Sequence, residues 1–155
     1  MMKLVRFISL TGILTLVLAV TAAWAQPGMG MGRGQGRGWG AGDPYSRMYN
    51  PQTVETLSGE VVSLEKFAPG RRMSYGVHFT LKTDKETIAV HLGPSWYVEK
   101  QPVTIAQGDK VEVTGSRITY QGQPAIVAAE VKKGGQVLKL RDANGVPAWA
   151  GQRMR

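Results

Sequence analysis

The chain has 155 residues, with 19 lysines and arginines against 11 acidic side chains, two histidines and no cysteine, for a formal net charge of +8. Without cysteine there is no disulfide, no thiolate catalysis, no thiolate metal site and no c-type haem attachment. The length suits one domain held by an ordinary apolar core, and the basic excess bears on anionic partners rather than on fold.

The first segment, MMKLVRFISLTGILTLVLAVTAAWAQ, sets Lys3 and Arg6 before an apolar run from Phe7 to about Val20 and ends in the small-x-small signal Ala23-Trp24-Ala25. This predicts a signal peptide over residues 1–25, a periplasmic or secreted protein, and no membrane span after cleavage. A retained anchor would need roughly 20 apolar residues and rarely ends in such a site. Cleavage leaves 130 residues with a net charge of +6. From Gly28 to Gly42 glycine takes every second position. Such a run cannot bury enough apolar surface to offset its backbone entropy, so residues 26–51 are expected as a disordered linker. Its arginines and Trp39 resemble RGG-type nucleic-acid tails, a reading that export opposes.

A domain is expected over residues 52–141, followed by a C-terminal tail over 142–155. Residues 53–67 are β-rich with an internal Gly59, which in a strand marks a bend or bulge. After a loop, GVHFTLKT and ETIAVHLG form a hairpin in which Val77, Phe79 and Leu81 alternate with polar residues. GPSWYVEKQPV, bracketed by Pro94 and Pro102, predicts a short helix. Two more strands follow, KVEVTGSRITYQ with its own Gly115 and PAIVAAEVKK, then a short C-terminal strand, an Asn144-Gly145 turn and Trp149. The expected core is Val62, Leu64, Val77, Phe79, Leu81, Ile88, Val90, Leu92, Val111, Val113, Ile118 and Val127.

The order β-β-β-(short α)-β-β with an added strand, and glycines where the first and fourth strands could bend, predicts an all-β fold. It is a small five- to six-stranded OB-like Greek-key barrel with one short helix. Over residues 54–133 the chain resembles the small exported bacterial OB-fold proteins, in LSGEVVSL, GVHFTLKT with IAVHLG, GDKVEVTGS and PAIVAAEVK. The resemblance implies ligand or nucleic-acid binding and brings no catalytic motif.

No Walker loop, HExxH or GxSxG is present, and no enzymatic activity is expected. The function expected first is an exported binding protein for an extended or anionic ligand: nucleic acid, lipid head group or another envelope polyanion. OB barrels stack aromatics and place cations along such ligands. The candidates are Arg71, Arg72, Tyr75, Lys82, Trp96, Tyr97, Tyr120 and Lys132, although Trp96 and Tyr97 would equally plug the barrel end. No cofactor belongs to that reading. A second expectation concerns the histidines. With the turn centred between Asp84 and Lys85, Val77 faces Leu92, Phe79 faces Val90 and Leu81 faces Ile88, so His78 falls opposite His91 on the outer, wet face. Directly opposed Cβ atoms stand about 4.5 to 5.5 Å apart, close enough for two imidazoles to share a copper or zinc ion. Met73, Met29 and Met31 are available thioethers. A third expectation is an envelope structural or protein-interaction module; the sequence sets no oligomeric state.

Overall fold

The computed structural model describes residues 38–71 and 73–152. The expected signal peptide, most of the glycine-rich stretch with Met29 and Met31, and Arg72 lie outside the described residues. Among the described residues there are six strands and one short helix: β1 (Val54–Phe67), β2 (Gly76–Lys82), β3 (Thr87–Pro94), α1 (Ser95–Val98), β4 (Lys110–Tyr120), β5 (Gln123–Lys133) and β6 (Gln136–Lys139). The strands run in the order β3-β2-β1-β4-β5-β6, and a further β3–β5 pairing closes them into a ring. That closing ladder is parallel and short, joining Ala89–His91 to Ala125–Val127; the other pairs are antiparallel. No helix among the described residues is long and apolar enough to cross a membrane.

The ring closes because β1 serves both halves. Val54–Glu60 pairs with β4 and Glu60–Phe67 with β2. At the switch, a Cβ on Gly59 would collide with the carbonyl of Lys82, so only glycine lets the two backbones approach. The β1–β2 register shifts between Val61 and Ser63, which makes Val62 the extra residue of a bulge and moves the inward phase by one. Val61 is therefore fully buried, Val62 is half-buried, and Leu64 reaches the barrel mouth 44% exposed. Val62 and Leu64 thus do not belong to the core, while the other expected core positions are buried.

The flanks are not tails. Residues 38–51, expected within the disordered linker, pack against the barrel: Trp39, Tyr45 and Tyr49 are all buried. Two single 3-10 turns, Ser46–Met48 and Pro51–Thr53, shape the segment, and the backbone N–H of Asn50 donates to Ser116 Oγ at 2.9 Å. Trp149, expected in the C-terminal tail, is 2% exposed and donates its indole N–H to the carbonyl of Trp39 at 2.7 Å. The cause lies on β3 and β5. Ala125, Ala129, Val127 and Ala89 present a second apolar surface on the outside of the ring, which Met48, Tyr49 and Tyr120 cover. Trp39, Tyr45 and Trp149 join the main core instead, and burying such side chains gains about 1.5 to 3 kcal/mol each, enough to order a short glycine-bearing segment.

Candidate functional site

In the β2–β3 hairpin the observed pairs are His78 with His91, Phe79 with Val90, Thr80 with Ala89 and Leu81 with Ile88. The expected histidine opposition is present. The expected Val77–Leu92 pair is not: the register shifts between Val77 and His78, so Val77 faces Gly93. The bulge at Leu92 keeps both side chains buried.

The histidine face is not wet. His91 is 2% exposed. Phe67 of β1 packs on both imidazoles, its ring centre 5.0 Å from that of His78 and 4.7 Å from that of His91. Tyr120, at the tip of the β4–β5 hairpin, meets His91 edge-on at 4.8 Å. Tyr45 stacks beside His91, and its hydroxyl lies 2.6 Å from His91 Nδ1. The two imidazoles are themselves stacked, 5.7 Å between centres and 29° between planes. A cleft of about 290 Å³ opens against them, lined by Phe67, His78, His91, Tyr120, Gln121 and Gln123 among others.

Burial, then the neighbouring His78 and Arg141, lowers the pKa of His91 to about 4. At neutral pH it is an uncharged imidazole, the form that accepts hydrogen bonds and ligates metals. Burial likewise raises the pKa of Tyr45, so its hydroxyl keeps its proton. Beneath the site, Arg141 is 6% exposed. Its Nη1 donates to the carbonyl of Leu92 at 3.0 Å and to that of Ala128, and its guanidinium lies 4.8 Å over the Trp149 ring. Burial lowers its pKa to about 10, which leaves it charged. Among the described residues, Nδ1 of His78 and Nε and Nη2 of Arg141 are buried without a hydrogen-bond partner.

The described residues expected to hold an anion do not all share one surface. Tyr75, 63% exposed, precedes β2, and Lys82 ends it, about 20 Å away along the strand. Arg71 is exposed in the β1–β2 loop, whose Tyr75 carbonyl accepts from the N–H of Ser95 in α1 at 2.8 Å. Trp96 and Tyr97 are half-buried against the core, Tyr97 lying 5.2 Å from Trp149. Lys132 is engaged by Glu112 at 3.5 Å and Glu130 at 3.6 Å. Tyr120 belongs to the histidine cleft instead. Met73 lies against Gly38 and Gly70 and does not line that cleft.

Tyr45, Phe67 and Arg141 were not among the candidates. One signal was legible: Ala125–Ala129 is apolar at five consecutive positions, which in a strand means burial on both faces and hence a cover on the outside.

Residues 53–138 match the model of the MamS/MamX magnetosome protein family. That span carries β1 to β5, β6 up to Leu138 and both histidines, whereas Tyr45, Arg141 and Trp149 fall outside it. No curated protein matches the chain.

Proposed function

The chain belongs to the MamS/MamX magnetosome protein family, and from that premise we propose that it is an exported, magnetosome-associated, non-enzymatic binding domain whose site is the histidine cleft. One observation carries the reading: two imidazoles, one of them with a buried nitrogen that has no partner, line a cleft large enough for a small ligand. Buried polar groups normally find partners, and a ligand is the partner this cleft admits. The cavity at the barrel mouth, about 300 Å³, has apolar walls of Leu64, Val77, Leu92, Val98, Val103 and Ile105 together with Glu65, Lys66, Glu99 and Thr104, and Lys66 and Glu99 are paired with each other at 2.7 Å.

A second reading is favoured by Tyr75 standing exposed in the Arg71 loop, hydrogen-bonded to the start of α1. It places an extended anionic partner at that end of the barrel, away from the histidines.

Nuclear magnetic resonance of the isotope-labelled full chain separates the two. Transition-metal ions, single-stranded DNA, anionic vesicles and lipopolysaccharide are added in turn at two salt concentrations. The first reading expects the largest shifts at the ring signals of His78, His91 and Tyr120. Shifts centred on Tyr75 and Trp96 that fade steeply with salt establish the second reading in its place, and a silent cleft across the panel removes the first.

A further inference from the structure

Resting on the cleft as the binding site, we infer that its ligand is a transition-metal ion of the imidazole-preferring class, copper ahead of zinc, held between His78 and His91. The two rings come from directly paired residues of one hairpin, so the strand ladder fixes their spacing. A metal bound in the plane of an imidazole at roughly 2.1 Å from nitrogen stands about 3 Å from the ring centre, so two rings on one ion have centres up to about 6 Å apart. The observed centres, 5.7 Å apart with 29° between the planes, lie within that span, and a turn of the stacked rings about their Cβ–Cγ bonds is what would bring the two nitrogens onto one ion. Nδ1 of His78 is unpaired. His91 is held through Nδ1 by Tyr45; in the tautomer that carries its proton on Nδ1 and donates it to the Tyr45 hydroxyl oxygen, Nε2 is the ligating nitrogen, and metal-binding histidines are commonly oriented through their second nitrogen in this way.

The donor set also states which ions are refused. Among the described residues no cluster of three or more histidines, cysteines or carboxylates is present, so the chain supplies two nitrogens and leaves positions open to water or a second ligand. A closed structural zinc site, with four protein ligands, is excluded there. The nearest acid, Glu65, has Oε2 3.7 Å from His78 Nε2 and is well exposed. The buried Arg141 guanidinium, bonded to the carbonyl next to His91, opposes any cation electrostatically. Binding must therefore come from coordinate bonds to nitrogen and not from charge, which favours ions high in the nitrogen-affinity order and disfavours manganese, magnesium and calcium.

The test is calorimetric titration of the chelator-treated full chain with Cu(II), Zn(II) and Mn(II), with electron paramagnetic resonance on the copper form. The expected result is one copper ion per chain, bound about tenfold or more tightly than zinc, no manganese binding, and coupling from two imidazole nitrogens. His78→Ala, and His78→Gln as a variant that keeps a polar filler, should each weaken copper at least about tenfold while circular dichroism shows the fold retained. Copper binding that survives both substitutions overturns the inference, because the ion is then held elsewhere. A cleft that takes another ligand of the panel but no metal overturns this inference alone, and one that takes nothing overturns the binding reading with it.

Discussion

At the scale of single residues, Arg141 is the least expected group in the molecule, a guanidinium inside the fold with no carboxylate beside it. It stands where the parallel β3–β5 ladder has ended at His91 and Val127 and β6 has begun to pair with β5 from Glu130. The carbonyls of Leu92 and Ala128 fall in that gap and share its Nη1. Arg141→Ala should leave both unpaired and open a cavity, lowering stability by about 3 kcal/mol in urea unfolding. His91 gives a second prediction. Its folded pKa of about 4 lies below the unfolded value near 6.5, so the unfolded chain binds more protons between the two. Stability of the metal-free protein is then complete above about pH 6.5 and falls by roughly 3 kcal/mol as the pH drops to about 4. Denaturant midpoints measured across that range should lose this component in His91→Gln. Although the third expected pair, Val77–Leu92, is displaced by the bulge, the opposition of the histidines was legible from the matched apolar pairs Phe79–Val90 and Leu81–Ile88. Their burial was not, because the strands that carry them encode nothing about the segment that covers them.

Among the elements, the strands were read with boundaries close to those observed, since alternation records which face is buried. The bulge at Val62 escaped that logic: Val61 and Val62 are equally apolar, and only the pairing with β2 decides which points inward. The covering segment escaped it for another reason. Glycine at alternate positions describes a chain with little to bury, yet one Trp39 outweighs its neighbours by lying against Phe67, Tyr45 and Trp149. It fits because Gly76 has no Cβ to obstruct its ring. Trp39→Ala should cost about 3 to 5 kcal/mol, where a linker tryptophan would cost nothing measurable. Gly76→Ala should destabilise through the same contact without removing any atom of it. Thermal melts of the two variants beside the parent check both; an unchanged melt for Trp39→Ala would return the segment to linker status.

For the whole molecule, the family-matched span and the folding unit are different objects. Residues 53–138 hold the strands except the last residue of β6 but omit Trp39, Tyr45, Tyr49, Leu140 and Trp149, all buried. A fragment limited to 53–138 should expose the outer surface of β3 and β5, bind a hydrophobic dye and melt without cooperativity, whereas residues 38–152 should unfold in one transition. The Trp39–Trp149 contact has a mechanical meaning as well. The indole N–H of Trp149 grips the backbone of Trp39, so the stretch between these two residues is a loop fastened by a non-covalent clasp. Tension applied between Trp39 and Trp149 loads this clasp first and reaches the strand ladders only after it has slipped, so the barrel, with the cleft on its wall, is shielded from pulls that enter through these two residues.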